Sequence, residues 1–127
     1  MRLLLDTQVF LWFLADDRRL SKVFRSAIGA LDNAVLVSAA SIWEIAIKST
    51  LGRVDLAARD AARLAALIDA SGFDELPITA RHAAAVRDLP SHHRDPFDRL
   101  LVAQARLETL TLVTVDRALR QSGVPLL

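Results

Sequence analysis

Short apolar runs, each followed by residues of helical character, recur along this chain, and that alternation constrains its fold more than any other feature. Arg2 to Leu5 is an apolar run closed by Asp6, and Thr7 to Ala15, with helix formers and no Gly or Pro, reads as the helix that follows. Ser21 to Leu31 fits a second helix closed by Asp32 and Asn33, and Ala34 to Val37 fits a second strand. Ala39 to Leu51 reads as a helix ended by Gly52. Ala57 to Ala70, with Leu64, Leu67 and Ile68 at helical spacing, reads as another, stopped by Ser71 and Gly72. Glu75 to Ile78 fits a third strand, placed at a sheet edge by Pro77, and Thr79 to Leu89 a helix before Pro90. Pro96 to Glu108 fits a helix with proline in its first turn, Thr111 to Val115 a strong strand and Val124 to Leu127 a weak last one. Strands separated by helices need crossover connections, so this order predicts an α/β fold with a mainly parallel central sheet flanked by helices.

The length of 127 residues suits one domain over residues 1–127. An apolar fraction of 53% fits a sheet buried on both faces. With 16 basic and 15 acidic residues the net charge is +1, so no whole-molecule field announces a polyanionic partner. The absence of cysteine excludes disulfides, thiolate catalysis and zinc–thiolate sites, and is compatible with a reducing cytoplasm. Asp6 breaks the first apolar run, and Val9 to Ala15 is too short to span a bilayer, so neither a signal peptide nor a membrane anchor is expected.

Ligands of open parallel sheets bind beyond the carboxyl ends of the strands. Four acids occupy such places: Asp6 closes the first strand, Glu44 lies in the helix after the second, Asp98 begins the Pro96 helix, and Asp116 closes the strand from Thr111. Each alone has a local explanation. Asp6 and Asp116 suit helix caps, Ser41 to Glu44 has the form of a capping box, and Asp98 suits the positive end of a helix dipole. Together they would crowd one cleft, where two unit charges about 4 Å apart cost on the order of 4 kcal/mol at an effective dielectric of about 20. Caps contribute roughly 1 kcal/mol each and do not offset that. A hard divalent cation does, and an oxygen-only donor set suits Mg²⁺ or Mn²⁺.

Ile42, Trp43, Ile45, Ala46 and Ile47 make the helix around Glu44 apolar on nearly every side, so its charge is expected to be desolvated; the alternative is an i, i+4 pair with Lys48. Pro96 disfavours helical geometry at Asp95, which makes Asp95 an N-cap. Asp98 shares a helix face with Leu101, Val102 and Ala105 and should point toward the strand ends. The helix Val9 to Leu14 is too apolar for one core to cover, so part of it is expected at an interface.

Leu3-Leu4-Leu5-Asp6-Thr7 with Phe10-Leu11-Trp12, then Ser41-Ile42-Trp43-Glu44-Ile45, then Arg94-Asp95-Pro96-Phe97-Asp98-Arg99-Leu100-Leu101, and finally Leu112-Val113-Thr114-Val115-Asp116 resemble the successive acidic blocks of the PIN-domain family, and within it the VapC-type toxins of toxin–antitoxin pairs. The resemblance implies a metal-dependent endoribonuclease in which Asp6, Glu44, Asp98 and Asp116 carry Mg²⁺ or Mn²⁺ and Thr114 supports Asp116 or a bound water. It also implies an RNA substrate, a VapB-type antitoxin whose tail covers the cleft, a homodimer and a cytoplasmic setting. Lys48, Arg94, Arg99 and Arg117 lie near the acidic blocks and are candidates for contacts to the RNA backbone, with surface ion pairing as their ordinary alternative. His92 and His93 fit solvated loop residues. Gln8 departs from the small polar residue or histidine expected two places after the first Asp, and Leu127 stands where an aromatic residue often ends this subgroup.

Other classes match less well. A receiver domain wants a lysine after a late strand, and none follows Lys48; a haloacid-dehalogenase-type phosphatase wants an acid at position 8, where Gln stands. A PIN-like module that binds RNA or protein without cleavage is the remaining alternative, and the intact set of four acids argues against it.

Overall fold

Leu3, Leu4 and Leu5 are all fully buried because β1 (Arg2–Leu5) runs through the middle of a sheet with a core on each face. Successive side chains of a strand face opposite sides. Leu3 and Leu5 therefore pack with Phe10, Val35, Val37 and Ile68, whereas Leu4 packs with Leu36, Leu101, Leu112 and Leu119. The structure is a computed structural model that describes residues 1–52, 60–90 and 95–127.

The other strands are β2 (Ala34–Ser38), β3 (Asp74–Leu76) and β4 (Thr111–Val113), ordered β3-β2-β1-β4 with every neighbouring pair parallel. Helices α1 (Thr7–Leu14) and α2 (Lys22–Gly29) join β1 to β2, and α3 (Ala39–Thr50) and α4 (Ala61–Ala70) join β2 to β3. Helices α5 (Ala80–Ala85) and α6 (Pro96–Glu108) then carry the chain back across the sheet to β4. The chain reverses its direction of travel at β1, so the switch point, where such sheets leave a crevice, falls between the carboxyl ends of β1 and β4. Asp6 N–H donates to the Val113 carbonyl at 3.0 Å and ties these two ends together.

Several boundaries differ from the sequence-based expectation for identifiable reasons. β3 is indeed at the edge, but it stops at Leu76, before Pro77, which has no N–H for a ladder. The helix expected over Thr79 to Leu89 is α5 followed by a 3₁₀ turn, Val86–Asp88. Asp60 caps α4 by accepting from Arg63 N–H at 3.0 Å, and the expected turns before it lie outside the described residues. β4 ends at Val113, and Thr114 beyond it turns its hydroxyl to the Asp6 carboxylate. The expected last strand is reduced to one parallel bridge, Leu112 to Leu126, where Pro125 still contributes its carbonyl to Leu112 N–H at 2.9 Å.

The core covers α1 only in part. Val9 and Phe10 are buried, and Leu11 to Leu14 are half-buried against the core, with the Arg19 guanidinium 4.9 Å from the centre of the Trp12 ring. The larger exposed apolar stripe belongs to the α3 side, where Trp43, Ile47 and Leu51 stand four residues apart and are 52%, 43% and 57% exposed. No helix among the described residues is long and apolar enough to cross a membrane.

Candidate active site at the ends of β1 and β4

Asp6 follows β1 directly and begins α1, a position that buries its side chain between helix and sheet. Its Oδ1 accepts from Val9 N–H at 2.8 Å, capping α1, and its Oδ2 accepts from the Thr114 hydroxyl. Thr114 Oγ1 in turn accepts from Asp116 N–H at 3.0 Å, and Asp116 Oδ1 accepts from Ala118 N–H at 2.9 Å, capping the 3₁₀ helix Arg117–Ser122. Thr114 thus links the two strand-ending acids. Burial pushes the Asp6 carboxyl up to about 6; the hydrogen bonds from Thr114 and Val9 counter this, and the charges of Asp98 and Asp116 add to it.

Glu44 is buried on α3. The helix is capped by Ser38, whose Oγ accepts from Ala40 N–H at 3.0 Å, so Ser41 to Glu44 is no capping box. Instead Glu44 Oε1 accepts from the Thr7 hydroxyl at 2.7 Å, Thr7 Oγ1 lies 2.9 Å from Ser41 Oγ, and Glu44 Oε2 accepts from the Lys48 ammonium. The i, i+4 pair weighed as the alternative is therefore present, at a side chain only 9% exposed. Burial lowers the pKa of Lys48, but the hydrogen bond and charge of Glu44, with Asp95 and Asp98, outweigh it and hold the ammonium above its usual value.

Asp95 is the N-cap of α6, its Oδ1 accepting from Phe97 N–H at 2.9 Å and Asp98 N–H at 3.1 Å. Asp98 is half-buried in the first turn, on the face that continues into the buried Leu101, Val102 and Ala105. Trp43 packs edge to face on Phe97, with ring centres 4.9 Å apart, and so braces the residue before Glu44 against the residue before Asp98.

These residues line one cleft of about 260 Å³, walled by Asp6, Thr7, Gln8, Leu11, Glu44, Ile45, Lys48, Asp95, Asp98, Val115 and Asp116. All four acids singled out in the sequence reach it. They do not form a tight cage: among the described residues no three His, Asp or Glu side chains are gathered closely enough to hold an ion where they stand. The donor set still fits Mg²⁺ or Mn²⁺. Its polar groups are oxygens apart from Gln8 and Lys48, it includes no imidazole, and Mg²⁺ keeps several waters and takes only one or two carboxylates directly. The charge that Asp98 and Asp116 impose on Asp6 is the repulsion such a cation relieves.

The basic candidates divide. Lys48 lies in the cleft wall. Arg99 turns away, donating from Nη1 to the Pro90 carbonyl at 2.8 Å and from Nη2 to the Val86 carbonyl at 2.9 Å, so it staples the turn before α6; a role in RNA contact is not supported by that orientation. Arg117 is exposed beside Asp116 without lining the cleft. Arg94, with His92 and His93, lies outside the described residues. Asp95, expected in a supporting role, lies in the cleft wall as well as capping α6, whereas Thr7 was not foreseen as a site residue and was signalled only by a hydroxyl next to the strand-ending acid.

Fold and cleft together define a class, the parallel α/β proteins whose carboxylates converge where the strand order reverses. The chain belongs to the PIN-domain family, whose model matches residues 3–124. It is 37% identical over 123 residues to Ribonuclease VapC22 of Mycobacterium tuberculosis (strain ATCC 25618 / H37Rv), covering 96% of this chain and 92% of that protein. Among solved structures it resembles VapBC2 from Rickettsia felis bound to a promoter DNA fragment, with a TM-score of 0.74 at 14% identity over 100% of this chain and 98% of that one. It also resembles FitAcB from Neisseria gonorrhoeae, with a TM-score of 0.69 at 22% identity over 98% and 95% of the two chains. At these identities the structural likeness is one of fold.

Proposed function

We propose that this chain is a metal-dependent endoribonuclease that acts in the cytoplasm as the toxin of a toxin–antitoxin pair. The observation that carries the reading is the acidic cleft at the β1–β4 switch point, in a chain that shares 37% of its residues with a ribonuclease over most of its length. Asp6, Glu44, Asp98 and Asp116 would hold Mg²⁺ or Mn²⁺. When bound, the ion supplies a Lewis acid that activates water and neutralises charge on the phosphate under attack.

The chain's own residues prepare that chemistry. Thr114 and Val9 N–H fix the rotamer of Asp6, Thr7 fixes that of Glu44, and Asp95 holds the first turn of α6 so that Asp98 faces the cleft. Lys48 and Arg117 are the described basic residues best placed for the RNA backbone. A VapB-type antitoxin is the proposed partner, in keeping with the VapBC complexes this fold resembles. The exposed Trp43, Ile47 and Leu51 suit a protein interface, and a homodimer is the proposed assembly.

The test is cleavage of end-labelled single-stranded RNA by the purified protein in Mn²⁺ or Mg²⁺, with EDTA and Asp98→Asn as controls. Metal-dependent cutting that both controls abolish is the expected result. Folded wild-type protein that binds RNA in Mn²⁺ and never cuts it would favour the binding-only alternative.

A further inference from the structure

Glu44 and Lys48 stand one turn apart on α3, and both wall the acidic cleft. Each oxygen of Glu44 is engaged: Oε1 accepts from Thr7 at 2.7 Å, and Oε2 accepts from the Lys48 ammonium. Such pairs are usually weak because water competes for both ends. Here water has little access to the acid, which is 7% exposed, while the lysine side chain keeps 36% of its surface in solvent. The pair also runs in the favourable direction, acid before base along the helix. Oε2 keeps a second lone pair, but a divalent ion bound there would stand within about 4 Å of Nζ, where repulsion between the two cations favours displacement of the ammonium.

We infer that Lys48 is a tethered counter-cation that competes directly with the divalent ion for Glu44, so that loading the metal releases the ammonium into the cleft. The inference rests on the metal reading given above. Lysine suits the part, being a compact charge on a flexible four-carbon stem, able to leave one oxygen and meet another without its anchor moving. A released ammonium stays in the cleft wall, where an RNA phosphate would be its next partner. Metal loading and phosphate binding would then be coupled through one side chain.

The experiment is calorimetric titration of Mn²⁺ into the wild-type protein, Lys48→Met, Glu44→Gln and the double variant, with thermal melting of each to verify folding. Lys48→Met is expected to bind Mn²⁺ about tenfold more tightly than wild type, the scale of one charge-assisted hydrogen bond. In the Glu44→Gln background the same change should raise affinity much less, leaving only the charge that Lys48 exerts on Asp95 and Asp98 through space. Lys48→Arg, which keeps a cation able to reach Glu44, should bind as wild type does, and Lys48→Gln serves if the methionine variant misfolds.

Equal Mn²⁺ affinity in wild type and Lys48→Met would overturn the competition while leaving the metal reading intact. A gain of the same size with and without Glu44 would also overturn it, since charge acting through space needs no shared ligand. No Mn²⁺ binding by any of the folded proteins would remove the metal reading and this inference together.

Discussion

Asp6 carries its charge where water is nearly excluded, and its response to pH should show it. Folding raises its pKa from 3.8 to about 6, so the folded chain holds that proton more tightly than the unfolded one. The stabilisation is complete below pH 3.8 and is lost as pH rises to about 6. Asp6→Asn removes this penalty: the variant should be more stable than wild type by up to about 3 kcal/mol at pH 7 and by little at pH 4, in paired urea unfolding curves. Equal stability at both pH values would mean that burial at this position is less costly than the geometry implies. Asp95 and Asp98 part in the opposite way. Asp95→Ala should lose about 0.5 to 2 kcal/mol with some activity kept, because Phe97 and Asp98 N–H lose their acceptor. Asp98→Asn should stop RNA cleavage at unchanged or higher metal-free stability. An inactive Asp95→Ala of wild-type stability beside an active Asp98→Asn would reverse the assignment. The cap at Asp95 was legible because proline constrains its predecessor, whereas the engagement of Arg99 was not: its acceptors are backbone carbonyls, and no sequence pattern marks those.

At the scale of elements, α3 and α6 bring Glu44 and Asp98 to the cleft, and a polar chain centred on the buried Ser38, Gln104 and His82 sets how they sit. Ser38 Oγ donates to Gln104 Oε1 at 2.5 Å, Gln104 Nε2 donates to the Pro77 carbonyl at 3.2 Å, and His82 Nδ1 accepts from Thr79 N–H at 3.0 Å. His82 Nε2, 2.8 Å from Glu108 Oε1, completes the contact between α5 and α6. Gln104→Leu leaves the Ser38 hydroxyl and the Pro77 carbonyl without their partner while adding little volume, and should lower stability by about 1 to 3 kcal/mol in denaturant titration. Retained stability would show that Ser38 and the Pro77 carbonyl find other partners. The helices themselves were legible from caps and stops such as Asp95 and Gly52. Gln104 was not, since one polar residue inside an apolar face carries no sign of the three elements it joins. The exposed apolar stripe on α3 was not legible for a related reason: the core covers Leu11 to Leu14 of α1 only in part, and composition cannot say how much of each apolar helix the fold leaves uncovered.

For the whole molecule, the parallel sheet was legible from strands spaced by helices, and the convergence of four acids from their places at strand and helix ends. The strand order was not, because it depends on which face each crossover packs against. Metal binding is the property that should register over the whole chain. Mg²⁺ or Mn²⁺ at tenfold over its Kd should add about 1.4 kcal/mol to stability and raise Tm by roughly 3 to 8 °C, an effect lost in Asp98→Asn. An unmoved Tm at millimolar ion would count against a metal-binding cleft. The pairing of β1 with β4 has a further consequence in time. Thr114 reaches Asp6 across 108 positions, so the cleft closes only after almost all of the chain exists to close it. Long-range closure of this kind is slow. During refolding, Mn²⁺ binding, followed with a metal-indicator dye, should therefore lag behind helix formation, followed by stopped-flow circular dichroism, and a chain broken off before residue 111 would be harmless to the cell that makes it.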